Sequence, residues 1–213
     1  MLDELRLFGL YKKLNPNELS EQQFSKIKHE LNNPNHNTIS DEYYDFKLWY
    51  MGFPSRQENF ANFIAKKLSK HPNAKVLEVG GGRTGRLSRF LSEKGFIMTC
   101  IDPKLEISST SSISFIKEKF EHNKFDLTGY DYVVAQEPCD ATEHVVRACI
   151  NQNKPFMMTL CGVPHKLLSG QTPRTVQDWY TYLVNISSQE IKLRYVQMND
   201  PISVTPILRS NSF

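Results

Sequence analysis

Apolar positions along the chain change their period once, near residue 70. Before it, Leu2, Leu5, Leu7, Leu10 and Leu14 recur at roughly helical spacing, as do Leu19, Phe24, Ile27 and Leu31, and later Phe60, Phe63, Ile64 and Leu68. Such spacing places side chains on one helix face. Asn15-Pro16 and the run "NNPNHN" separate the first segments, as turn-forming residues do. Between them and the last lies an aromatic segment, "DEYYDFKLWYMGF". Its acids fall in the first turn, where the helix dipole favours them, with Ser40 placed to cap it and Pro54 to end it. Ser55 is placed to cap the helix that follows, "RQENFANFIAKKLSK", which ends in lysines.

Beyond residue 70 short apolar runs take over: "KVLEVG", "FIMTCID", "ISFIK", "YDYVVAQ", "PFMMTLC", "IKLRYVQM" and "SVTPILR". Helical stretches such as "GRLSRFLSEKG" and "ATEHVVRACINQN" separate the earlier ones. Strand–helix–strand repetition implies right-handed crossovers and parallel pairing. Only "NDPI" separates the last two runs, too little for a crossover, so they form an antiparallel hairpin. The expected fold is α/β: a doubly wound, mostly parallel seven-stranded sheet with a C-terminal antiparallel hairpin. A helical cap over 1–54 precedes this Rossmann-like domain, which spans 55–213.

Composition narrows the function classes. Of 213 residues, 39% are hydrophobic and 11% aromatic, enough for a sizeable core. No run of about 18 apolar residues occurs, so no membrane span is expected. The opening "MLDELRLFGLYKKL" lacks the uninterrupted apolar segment of a secretory signal. Cys100, Cys139, Cys149 and Cys161 are too few and too unpatterned for a disulfide framework, so a reducing, cytoplasmic setting is expected. The net charge of +3 does not by itself call for nucleic acid.

The chemistry concentrates in Lys75 to Lys104, "KVLEVGGGRTGRLSRFLSEKGFIMTCIDPK". The first strand delivers Gly80, Gly81 and Gly82 to the carboxyl edge of the sheet, where ligands bind in such folds. Glycine lets a backbone approach a ligand closely, and the helix after Gly85 aims free N–H groups at the same place. Asp102, ending the second strand, can accept from both hydroxyls of a ribose. Together these features describe an adenosine site. Gly80, Gly82 and Gly85 satisfy the dinucleotide-binding pattern G-x-G-x-x-G. Glu78 opposes that reading: a carboxylate beside the turn disfavours a pyrophosphate and suits a ligand carrying an ammonium and a sulfonium.

On these residues the stretch resembles motif I and the acidic strand end of class I S-adenosylmethionine-dependent methyltransferases, and the element order is similar to that family's seven-stranded sheet. The resemblance implies that Glu78 and the Gly80–Gly82 turn face the methionine part of S-adenosylmethionine. It implies further that Asp102 holds the ribose and that Phe120 and Glu121 border the adenine. Pro103 and Gln136, at the ends of the second and fourth strands, complete the implied cofactor-binding set. The pattern departs from the family in placing Arg83 and Thr84 before its third glycine.

The family's substrate-facing positions follow the fourth strand, here "QEPCDATEH". This is not the Asn/Asp-Pro-Pro-aromatic signature of enzymes that methylate nucleobase amines, which disfavours a DNA or RNA amino-methyltransferase; the helical cap, as extra wall to the pocket, suits a small-molecule acceptor, while nucleic acid or protein acceptors stay open. Glu137 is the first candidate for a general base or substrate clamp, its plainer role being a helix cap. His165, in the loop after the fifth strand, is the second, with a side chain that titrates near neutrality; its plainer role is a surface histidine. That loop, 162–174, is long enough for a lid. The spacing of Cys139, His144, Cys149, Cys161 and His165 matches no zinc pattern, so no metal is assigned. Arg56 and Gln57 open the helix before the first strand and approach the cofactor edge, where they can meet a methionine carboxylate. The aromatic segment is read as packing the extension onto the sheet domain. Two other functions stay open: an NAD(P)-binding oxidoreductase, and a methyltransferase-like protein that binds its ligand without turnover.

Overall fold

The computed structural model describes residues 2–14, 21–31, 41–164, 167–186, 191–198 and 204–213. The seven apolar runs become seven strands of one sheet: β1 (Lys75–Val79), β2 (Ile97–Ile101), β3 (Ile113–Ile116), β4 (Tyr132–Gln136), β5 (Phe156–Thr159), β6 (Ile191–Gln197) and β7 (Val204–Ser210). Their order is β3-β2-β1-β4-β5-β7-β6. Strand β1 pairs in parallel with both neighbours, Leu77 lying opposite Thr99 and Val133. The order therefore reverses at β1, and a crevice opens beyond the carboxyl ends of β1 and β4. The hairpin is antiparallel as expected, with β7 inserted between β5 and β6: Leu208 faces Met158 on one side and Leu193 on the other.

Successive strand residues point to opposite faces, and they build two cores. Leu77, Val79, Val133, Ala135 and Met158 join Val145, Cys149, Trp179 and Leu183, contributed by α6 (Thr142–Asn151) and α7 (Val176–Asn185). Val76, Val134 and Met157 join Phe60, Ile64, Leu87 and Leu91, contributed by α4 (Arg56–Lys67) and α5 (Arg86–Glu93). Ser55 caps α4 as expected, its hydroxyl accepting from the Glu58 N–H at 3.2 Å. Helix α7 starts with a reciprocal capping box between Thr175 and Asp178.

Two crossovers depart from the expected alternation. Residues 102–112 and 117–131 connect β2 to β3 and β3 to β4 without a helix. The first is rich in serine and threonine, whose hydroxyls bond to nearby backbone instead of letting it coil: Ser109 Oγ accepts from Phe115 N, and Thr110 Oγ1 from Ile113 N. In the second, Asp126 bonds to the Thr128 N–H and hydroxyl, a turn rather than a helix.

The extension holds α1 (Leu2–Leu14), α2 (Glu21–Leu31) and α3 (Asp41–Tyr50); Leu19 and Ser40 lie outside the described residues. It has a core of its own, Phe8, Tyr11, Ile27 and Phe46, flanked by Phe24 and Trp49. Phe8 meets Phe46 edge-on at 5.3 Å between ring centroids, and Tyr11 and Trp49 are also 5.3 Å apart. Phe46 and Trp49 thus serve the extension itself rather than its packing onto the sheet. What reaches the sheet domain is charge. Asp45, 2% exposed, accepts from the Arg56 N–H at 3.1 Å and from Arg86 Nη1 at 3.2 Å. Among the described residues no helix is long and apolar enough to cross a membrane.

Candidate functional site

The turn after β1 is shaped by its glycines and by the groups packed beneath it. Gly80 and Gly82 adopt positive φ, 83° and 65°, a region other residues enter at a cost. Gly81 is required by space: a Cβ there would lie 2.2 Å from Cys100 Sγ on β2. The third glycine of the pattern, Gly85, is the left-handed N-cap of α5, and its Cβ would meet the Phe115 ring at 2.6 Å. Gly85 therefore seats the helix on the sheet, which accounts for its spacing after Arg83 and Thr84.

Glu78 lies under this turn. It is fully buried, accepts from the Ser88 N–H at 2.8 Å and from the Ser88 hydroxyl, and takes a further bond from the Cys100 thiol. Burial pushes its pKa up, and those hydrogen bonds only partly oppose the rise. Asp102 closes the turn from the other side. Its Oδ2 accepts from the Gly82 N–H at 2.9 Å and its Oδ1 from the Lys104 N–H at 2.7 Å.

Two clefts open at this edge and meet along Gly80, Gly82 and Glu137. One, open to solvent, brings Asp102, Pro103 and Phe120 together with Ile101, Pro138 and Ala141. The other, also open, is far more polar; Asp45, Arg56, Gln57, Arg86, Gln136 and Glu137 line it, with Glu78 in its floor. In this polar cleft the Gln57 and Gln136 side-chain oxygens are buried and lack a hydrogen-bond partner among the described residues. Buried acceptors left unsatisfied are costly.

Glu137 stands where the clefts meet, beyond the end of β4. Its N–H is fixed to Thr159 O at 3.1 Å, and its backbone is left-handed (φ 49°), as is that of Cys139. Two non-glycine residues in that region so close together mark a segment held by its surroundings. Both Glu137 carboxylate oxygens accept from Arg56 Nη1 at 3.1 Å. Arg56 Nε lies 3.5 Å from Asp45 Oδ1, and the guanidinium sits over the Tyr44 ring, 5.6 Å from its centroid. An acid–base chain, Glu137–Arg56–Asp45–Arg86, thus lines the polar cleft.

Of the residues singled out in the sequence, Gly80, Gly82, Asp102, Pro103 and Phe120 share the first cleft, and Glu78, Gly80, Gly81, Gly82, Gln136 and Glu137 the second. Glu121 lines neither cleft: it pairs with Lys124 at 2.7 Å, and that hydrogen bond holds its pKa below the usual carboxylate range. His165 lies outside the described residues. The neighbouring turn is anchored, the Leu168 N–H donating to Glu143 Oε2 at 2.8 Å. Among the described residues no group of three or more His, Cys, Asp or Glu side chains is arranged to hold a metal ion. Asp45 and Arg86 went unnoticed in the sequence. The only signal for Asp45 was an acid inside an aromatic helix, at a position where its burial demands a partner.

The sheet is that of class I S-adenosylmethionine-dependent methyltransferases. Dinucleotide-binding folds run 3-2-1-4-5-6, whereas here an antiparallel β7 lies between β5 and β6. Magnesium protoporphyrin IX methyltransferase (ChlM) from Synechocystis PCC 6803, solved with bound SAH, superposes with a TM-score of 0.51 at 12% identity, over 93% of this chain and 98% of that one. The Burkholderia thailandensis 1,6-didemethyltoxoflavin-N1-methyltransferase superposes with a TM-score of 0.46 at 14% identity, over 79% of this chain and 83% of that one. No protein-family model matches the sequence, and neither does any curated protein.

Proposed function

We propose that the chain is a methyltransferase that binds S-adenosylmethionine across the two clefts and methylates a small-molecule acceptor. The observation that carries this reading is the contrast between clefts that meet at one glycine turn: an apolar-walled one with Asp102 at its rim, and a charged one with unsatisfied acceptors. A ligand with adenosine at one end and a zwitterionic amino acid at the other suits both. Asp102 would accept from the ribose hydroxyls, with Phe120 and Pro103 against the base. Gln57 and Gln136 would accept from the ammonium group, and Arg56 would donate to the carboxylate.

The methyl donor, when bound, supplies an electrophilic methyl group on a sulfonium. Much of catalysis then lies in positioning. A base is needed only where the acceptor must lose a proton, and Glu137, at the meeting of the clefts, is the residue assigned to take it. Asp45 on α3 makes the extension a wall of the polar cleft, which suits a small acceptor better than an open groove. The free thiols of Cys100, Cys139, Cys149 and Cys161 suit a reducing, cytoplasmic compartment.

Calorimetric titration with S-adenosylmethionine, S-adenosylhomocysteine, NAD and NADP tests this reading. Micromolar binding of the first two, weakened by about 1.5–3 kcal/mol in Asp102→Ala, the scale of hydrogen bonds to a charged acceptor, is the expected result. Asp102→Asn keeps an acceptor for the Gly82 N–H and separates loss of the ribose contact from loosening of the turn. Binding of a nicotinamide cofactor alone would overturn the reading.

A further inference from the structure

The polar cleft holds more charge than a static binding site needs. Arg56 stands between two carboxylates: Asp45, whose side chain is 3% exposed, and Glu137, whose side chain is 29% exposed. Asp45 is also fixed by the Arg56 N–H and by Arg86. A ligand carboxylate that simply joined them would put three acids around one guanidinium, and like charges in a half-buried site repel strongly. Asp45 cannot yield without giving up its bonds to Arg86 and to the Arg56 N–H. Glu137 can, because it sits on the solvent side, at the mouth shared with the other cleft.

We infer that Glu137 is a built-in stand-in for the donor's carboxylate: the α-carboxylate of the bound donor displaces it from Arg56, and the released Glu137 turns to the acceptor. The exchange is one carboxylate for another, so the charge around Arg56 is conserved and no proton need move. Before the donor arrives, Glu137 is a neutralised partner of Arg56; afterwards it is a carboxylate released from that guanidinium beside the meeting point of the clefts, where it can serve as a general base or a clamp for a cationic acceptor. Donor must then bind before acceptor. Asp45 is the positioning residue that keeps Arg56 in place through the exchange. This inference rests on the methyl-donor reading above and adds a competition inside the site.

The competition has a sign that an ordinary binding role would not produce. On the full-length protein, affinities for S-adenosylhomocysteine and for 5′-methylthioadenosine, which lacks both carboxylate and ammonium, are measured for wild type, Glu137→Gln, Arg56→Lys, Arg56→Ala and the Arg56→Ala/Glu137→Gln double variant. Glu137→Gln should bind S-adenosylhomocysteine about 3- to 10-fold tighter than wild type, since the competitor has lost its charge. Arg56→Ala should bind it at least about 10-fold more weakly, with Arg56→Lys in between. In the Arg56→Ala background the gain from Glu137→Gln should vanish, which separates exchange on Arg56 from a general field effect. Every variant should keep wild-type affinity for 5′-methylthioadenosine, which also reports that it is folded. Unchanged or weaker S-adenosylhomocysteine binding in Glu137→Gln, or a gain that survives in the double variant, overturns the exchange while leaving the donor reading intact. Failure of wild type to bind either compound overturns both.

Discussion

Ser88 donates its main-chain N–H, at 2.8 Å, and its hydroxyl to one oxygen of Glu78. The pair ties the first turn of α5 to the end of β1 and so fixes the frame on which the glycine turn hangs. Glu78 therefore acts first as an internal clamp. Replacing Ser88 by Ala keeps the main-chain bond and removes the other, leaving a buried carboxyl short of one partner; the expected loss is about 1–3 kcal/mol, read as a shift in the urea midpoint. An unchanged midpoint would mean that the hydroxyl contributes nothing to holding the turn.

The contact between Gly81 and Cys100 gives a second, steric prediction. A Cβ at Gly81 falls 2.2 Å from Cys100 Sγ, and the thiol is enclosed in the sheet, where burial pushes its pKa up and leaves it protonated. Gly81→Ala should cost about 1–3 kcal/mol, the usual range for overpacking. Cys100→Ala removes the obstructing atom, so the double variant should be distinctly more stable than the sum of the single losses. Strict additivity in urea unfolding would show that the strain lies elsewhere in the turn.

Asp45 is a buried charged link between the extension and the sheet domain. Asp45→Ala removes one carboxylate partner from each of Arg86 and Arg56, 9% and 18% exposed, and breaking such a pair from one side costs about 3–5 kcal/mol. The expected result is a lower midpoint together with protease cleavage between residues 50 and 56 that wild type resists. Cleavage at the wild-type rate would show that other contacts hold the extension.

Much of this architecture was legible in the chain. All seven strands were readable because each is a short apolar run, with β1, β4 and β5 buried on both faces, and the hairpin because four residues cannot carry a crossover. The helix-free crossovers were misjudged, since alternation in the rest of the sheet gave no reason to weigh the local preferences of serine, threonine and aspartate. At the site, the glycine turn and Asp102 were visible because they are contiguous with strands. Arg56, Gln136 and Glu137 could be placed at the right edge, but the direct pairing of Arg56 with Glu137 could not, since they are 81 positions apart; nor could the role of Asp45, a residue whose meaning depends on a fold that brings two arginines to it. Glu78 was read as an electrostatic neighbour of the ligand, and it lies in the floor of the polar cleft; its bond to Ser88, ten residues away, is a contact that periodicity does not encode.

Acid sensitivity should originate in the His122–His144 contact. His144 Nδ1 lies 3.3 Å from the His122 main-chain nitrogen and 3.0 Å from His122 Nδ1, so it accepts from the main-chain N–H when it carries no proton. Burial holds the His144 pKa below its ordinary value of 6.5, and the charges of His122 and Lys119 add to this while Glu121 and Glu143 oppose it. The folded state therefore binds fewer protons than the unfolded chain just below that value. The sign follows: the contribution is complete above pH 6.5 and is lost as pH falls through the folded pKa. Glu143, on the same helix, acts in the same direction at lower pH. Burial raises its pKa, but hydrogen bonds from the Leu168 N–H, Tyr182 and Arg147 lower it further, below 4.5. The thermal midpoint should be flat from about pH 8 to 7 and decline as pH falls below about 6.5. His144→Gln, which cannot take up the proton, should flatten that decline and leave the steeper fall below pH 4.5 in place. An identical decline in His144→Gln would remove His144 as its source.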